Sequence, residues 1–179
     1  MQINPGQPGN SDLRTADIRI REIAVYLAGD IAKQIAKEPQ PGGWVRSWSE
    51  RELTTIHEAA HAAEAIICGF TVFNLRVFDG NRAAGFCDFG LPGSSAPADP
   101  IGAAESSPND SEKIAGCVET LAKDGQAVML PDLKAAVEAT VRTHWANIRC
   151  LAGELFWRGT LTELEVLHFW MLSDMQVEG

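Results

Sequence analysis

The sequence predicts an α+β domain that is mainly α, with a small β-hairpin or sheet set among its helices. Three observations carry this expectation. Apolar residues recur at intervals of three and four through much of the chain. Only residues 70–89 show strand-like alternation of β-branched and aromatic side chains. Helix start and stop signals fall on both sides of that stretch. With 179 residues, 45% of them hydrophobic, the chain is about right for one domain with a real core.

Residues 1–10, MQINPGQPGN, carry two Pro and two Gly and read as a flexible tail. Residues 11–179 read as a single domain, divided into an N-terminal helix and linker over 11–43 and a core over 44–179. From Ser11 to about Lys37 the residues Ile18, Ile20, Ile23, Ala24, Leu27, Ile31 and Ile35 form the apolar stripe of an amphipathic helix. The segment EPQPGG at 38–43 ends it. Ser49-Glu50-Arg51-Glu52 is a capping-box pattern, so a second helix starts near Glu50 and stops at Gly69, where a left-handed residue can close it. Phe70–Phe78 and Ala84–Phe89, joined through Asp79-Gly80-Asn81, read as a hairpin. Residues 90–108 read mostly as loop. Ser107-Pro108-Asn109-Asp110 predicts a helix start with Ser107 as cap and Pro108 at the first helical position, and the helix ends at Asp124-Gly125. One long helix is expected from about Pro131 to Arg158, stopping at Gly159. Thr162 to Glu165 offers another capping box, leading into a last helix near Met171. The sequence has no internal repeat.

Charge and cysteine usage exclude several functions. Lys plus Arg number 15 against 24 Asp plus Glu, a net charge of −9 that repels nucleic acid and anionic membrane surfaces. No apolar run approaches the roughly 18 residues of a membrane span, so no membrane insertion is expected. Cys68, Cys87, Cys117 and Cys150 lie far apart with no C-x-x-C, and nothing in the first residues resembles a charged-then-apolar signal peptide. They read as reduced, mostly buried thiols of a cytoplasmic protein.

The chemistry concentrates in His57-Glu58-Ala59-Ala60-His61, an H-E-x-x-H pattern. Two histidines four apart on a helix lie one turn above each other and can point at one ion, while the glutamate is placed to act as general base. Chance puts this pattern in roughly one chain in 250 of this length, so its surroundings must decide. They favour a metal: Leu53, Ile56, Ala59, Ala60, Ala63, Ile66 and Ile67 make the helix otherwise apolar, and polar groups buried there without partners would be costly. A hydrolytic zinc takes three protein ligands and leaves a fourth position for water. The remaining histidines, His144 and His168, lack ligand spacing and read as structural or surface residues. Among acids Asp110 stands out as a helix opener after a small-residue loop, although an acid there also suits the helix dipole; Glu105 and Glu112 compete with it.

The array resembles the peptidase domain of the FtsH family of ATP-dependent membrane zinc proteases and their stand-alone relatives. HEAAH stands where that family usually has HEAGH. FTVFNLRVFDG followed by RAAGFCDFG is similar to its strand pair after the zinc helix. Ala103-Ala104-Glu105 followed by Ser107-Pro108-Asn109-Asp110 is similar to its A-A-E and S-N-D segments, and WANIRCLAGELFWRGTLTELE looks like its closing helices. The resemblance covers roughly residues 50–170. It implies a zincin-like metallopeptidase core over 44–179 with the H-E-x-x-H on a central helix, Zn2+ held by His57, His61 and Asp110, and Glu58 as base. Ala60 replaces the usual glycine, and the interval from motif to acid is shorter than in the full-length proteases. There is no G-x-x-x-x-G-K-[ST] phosphate loop, which implies a stand-alone relative without ATPase or membrane segments.

The leading expectation is therefore a zinc-dependent endopeptidase acting on peptides or unfolded protein, with the edge strand 83–89 aligning substrate by strand addition. The alternative is a non-catalytic metal-binding or interaction domain. Trp145, Phe156, Trp157, Phe169 and Trp170 would be the surface of such an interaction domain, but read more simply as packing of the last helices.

Overall fold

The computed structural model describes residues 10–39, 43, 45–78, 84–91 and 109–177. The tail at 1–9, Asp79-Gly80-Asn81, residue 83, Glu105 and most of the 90–108 loop lie outside the described residues. In chain order the elements are α1 (Asn10–Ala36), α2 (Glu50–Ile67), β1 (Thr71–Phe78), β2 (Ala84–Gly90), α3 (Asp110–Lys123), α4 (Leu130–Thr143), α5 (Trp145–Arg158), β3 (Thr160–Thr162) and α6 (Glu163–Val177). The chain is mainly helical with a small antiparallel sheet.

Helix α2 lies at the centre. Its start is the expected capping box: the Ser49 hydroxyl accepts from the Glu52 N–H, and the Glu52 carboxylate accepts from the Ser49 N–H at 2.7 Å. Its end is a Schellman turn, with Gly69 at φ 80°, the Gly69 N–H on the Ile66 carbonyl and the Phe70 N–H on the Ala65 carbonyl. Between these ends Ala59, Ala60, Ala62, Ala63 and Ala65 are all buried. Alanine is the best helix former and its short side chain lets neighbours approach on every side. Helix α1 packs on one side, α5 on another, and β1 and β2 cross a third. Replacing Ser49 with alanine removes one of the two reciprocal bonds; the expected loss is about 1 kcal/mol of unfolding free energy, read from urea denaturation.

Helix α1 faces two ways. Ala24, Val25, Ala28, Ile31, Ala32, Ile35 and Ala36 join the main core beneath α2. Ile23 turns aside to pack with Cys117 and Leu121 of α3. The segment treated in the sequence as an N-terminal helix and linker thus supports both the central helix and α3. The Trp48 indole N–H, donating to the Ala36 carbonyl at 2.8 Å, ties the start of α2 to the end of α1.

The sheet has the order β2-β1-β3, both pairings antiparallel. In β1 the buried residues are Val72, Leu75 and Val77. Their uneven spacing has a cause: the register against β2 slips between Val72 and Asn74, a bulge that turns the strand's face. β3 was not expected, because three residues are too few to show a period. It is held by Leu161, fully buried opposite Leu75, and by the Gly159 carbonyl, which accepts from the Val77 N–H.

Four expectations need correction. The helix expected over 131–158 is two helices broken at His144, whose φ of −99° and ψ of 21° leave the helical region. The break lets α4 pack on α1 while α5 packs on α2, which one straight rod could not do. The cap of α3 is Asn109, not Ser107, and Asp110 rather than Pro108 opens the helix, because the Asn109 amide oxygen reaches the Glu112 N–H. The four free cysteines are less buried than expected: only Cys117 is buried, the others half-buried. Among the aromatic residues, Trp145, Phe169 and Trp170 pack against the core, but Trp157 is 83% exposed on the outer face of α5.

At the second Thr-Glu pattern the Glu165 carboxylate accepts from the Thr162 N–H, and α6 spans Glu163–Val177, around Met171 as expected. Among the described residues no helix is long and apolar enough to cross a membrane.

Candidate metal centre

Helical spacing on α2 places the two imidazoles together: His57 Nε2 and His61 Nε2 are 2.9 Å apart. The third group arrives from α3. Capping by Asn109 puts Asp110 in the first turn, and the packing of α3 on α1 points that turn at α2. Asp110 Oδ2 lies 2.9 Å from His57 Nε2 and 3.1 Å from His61 Nε2. These three residues are the group among the described residues whose donor atoms could hold a metal ion together.

The donor set fits a small divalent cation. Donor-to-donor edges in a tetrahedral zinc site are about 3.3 Å, close to the separations here. His61 Nδ1 donates to the Val25 carbonyl at 2.7 Å, so in the neutral ring Nε2 presents a lone pair. That lone pair faces a carboxylate oxygen and a second imidazole nitrogen. Such an array repels itself unless a proton or a cation lies among its members. The electrostatics show the same preference. Burial works against charge on His61, but the Asp110 hydrogen bond and the Glu58 and Asp110 charges outweigh it and raise its proton affinity. Burial likewise opposes ionisation of Asp110, yet its bonds to His57 and His61 hold it well below the usual carboxylate range. A pocket that draws a proton this way draws a metal cation for the same reason.

Glu58 lines the same cleft as the triad and is 6% exposed. Burial, the largest influence, raises its carboxyl above the ordinary range, with His61 and His57 pulling the other way. Its space is made by Gly85 of β2: a Cβ there would lie 2.5 Å from Glu58 Oε1. Gly29 of α1 does the same for the histidines, since a Cβ there would come within 2.6 Å of His57 Nδ1 and 2.7 Å of His61 Nε2. Both glycines are close-approach positions where backbone replaces side chain. Together these groups floor a cleft of about 380 Å³ that opens between α1, α2, α3 and β2. Tyr26, Phe86 and Phe89 give it apolar walls, and Lys113 brings an ammonium 3.6 Å from Asp110 Oδ1.

The structure thus brings His57, Glu58, His61 and Asp110 into one place. It leaves out the competitors within view: Glu112 is exposed, His144 sits at the α4–α5 break with its ring 5.3 Å from Trp170, and His168 is exposed on α6. Glu105 lies outside the described residues. Sequence reasoning missed Val25, Gly29, Asp30 and Gly85. One signal was available: a glycine inside the otherwise regular α1 pattern costs helix stability and implies a packing reason.

No family model, curated protein or solved structure matches this chain.

Proposed function

We propose that this chain is a zinc-dependent endopeptidase with a zincin-like fold, a stand-alone relative of the FtsH-family peptidase domain that acts in the cytoplasm on flexible or unfolded protein. The observation that carries the reading is the convergence of three donor atoms within 3.1 Å of one another, beside a buried carboxylate, at the floor of a cleft. His57, His61 and Asp110 would hold the ion. When bound, zinc would polarise the scissile carbonyl and lower the pKa of water.

The chain's own residues account for the rest. Glu58 accepts a proton from the attacking water and returns it to the leaving amine nitrogen; its burial-raised proton affinity suits it to both steps. β2 is one of the two edge strands of the sheet and lines the cleft through Gly85, Phe86, Cys87 and Phe89, so an extended peptide can add to it as a further strand. Strand addition demands a substrate backbone free of its own partners, which favours unfolded segments. The free cysteines suit a reducing compartment.

Metal analysis of the purified protein tests the reading. Wild type is expected to carry about one zinc per chain and Asp110→Ala less than about 0.1, with casein cleavage lost on chelation and regained with zinc. A zinc-free wild type overturns the proposal. Bound zinc without cleavage favours a non-catalytic metal-binding or interaction domain instead.

A further inference from the structure

We propose that Asp30 is a positioning residue of this metal centre, orienting His57 as the Val25 carbonyl orients His61, so that α1 forms the outer wall of the site; this rests on the metal reading above. The two histidines differ in their outer contacts. His61 Nδ1 has its acceptor, the Val25 carbonyl, at 2.7 Å. His57 Nδ1 is buried and among the described residues has no hydrogen-bond partner. Metal-binding histidines almost always donate the far ring N–H to a carboxylate, carbonyl or water, which fixes the tautomer and aims the other nitrogen at the ion.

Asp30 Oδ1 stands 3.5 Å from that nitrogen, just beyond a formed bond. Its side chain is 64% exposed, so little packing resists a rotation that closes the gap. The neighbouring Gly29 makes the approach available. With no Cβ, it lets the α1 backbone lie against both rings, and Asp30, the next residue, lines the same cleft as His57. An acid on the exposed face of a helix is ordinarily a solvated charge, but in the tautomer that a metal at Nε2 requires, that reading leaves the buried His57 Nδ1–H without an acceptor among the described residues. Pairing with Asp30 satisfies the donor, holds the His57 ring with Nε2 towards Asp110 and His61, and makes that nitrogen a stronger ligand.

The test measures zinc affinity of the full chain by competition with a chelator of known affinity, for wild type, Asp30→Ala and Asp30→Asn. Asp30→Ala is expected to bind zinc 10- to 100-fold more weakly, the usual effect of losing an outer-shell partner. Asp30→Asn keeps an acceptor oxygen and is expected to recover most of that loss. Unfolding midpoints of the metal-free proteins should coincide. The visible absorption of the cobalt-substituted protein should change in Asp30→Ala and return towards wild type in Asp30→Asn. Affinity in Asp30→Ala within about twofold of wild type overturns the proposal, as does equal weakening in both variants. A wild type that binds no zinc overturns the metal reading with it, whereas tight wild-type binding unaffected by Asp30→Ala overturns the positioning role alone.

Discussion

Glu58→Gln is expected to lower casein cleavage by about 10²- to 10⁴-fold while the protein keeps its zinc. The amide has the shape of the carboxylate and fits the same space against Gly85, so the fold has no steric reason to change. What is lost is the ability to take a proton. Burial already disfavours the Glu58 charge, so the neutral residue should leave the unfolding midpoint equal to wild type or above it. The pairing of full stability and full metal with lost turnover separates a general base from a structural acid. Equal cleavage by the two proteins would remove Glu58 from the mechanism. A parallel loss of zinc would mean instead that the carboxylate supports the metal.

Gly29→Ala is expected to destabilise the metal-free protein by about 1–3 kcal/mol and to weaken zinc binding at least tenfold. The sign is the informative part. In an open helix the same change stabilises by about 1 kcal/mol, because alanine surrenders less backbone entropy. Gly116 of α3 and Gly153 of α5 supply that control, since a Cβ at either meets nothing within 4 Å. At Gly29 the new methyl meets His57 Cε1 and Nδ1 at 2.6 Å and His61 Nε2 at 2.7 Å. His61 is held between the Val25 carbonyl and Asp110, and His57 against Asp110 and His61, so α1 must move outward or the triad must open. Urea denaturation beside the chelator titration reads both effects. A stabilised Gly29→Ala would show that α1 is free to shift and does not fix the site.

What could be read from the sequence was what is encoded locally. The ends of α2 lie in Ser49, Glu52 and Gly69, each acting within a turn of itself, and its face was legible because helical periodicity survives in an alanine-rich segment. The histidine pair and Glu58 follow from the same spacing. Asp110 was a weaker inference. Nothing within its own turn distinguishes a ligand from an acid favouring a helix dipole, and it reaches His57 across 53 residues. The unread features are all non-local. His144 carries no helix-breaking chemistry, and the bend there answers to α1 and α2 as packing partners. β3 is strand only because Leu161 finds Leu75. Val25 acts through its main chain, which no side-chain pattern reveals, and Asp30 through proximity that α1 acquires only on packing.

The central place of β1 also sets an order of assembly. β2 follows it directly, but Leu161, the partner of Leu75 on the other edge, is made 86 residues later (161 − 75). At about 5–20 residues per second, ribosomal synthesis leaves that edge unpaired for roughly 4 to 17 seconds. An open edge on an apolar strand is a template for wrong pairing, so this interval is when the nascent protein is most exposed to aggregation and most in need of a chaperone. Asp110 is made 51 residues ahead of Leu161 (161 − 110), so His57, His61 and Asp110 are all synthesised while the sheet is still incomplete. Ion capture can then precede closure of the sheet, and on the metal reading proposed above a zinc-starved cell is expected to lose a larger fraction of this protein to aggregation than a zinc-replete one.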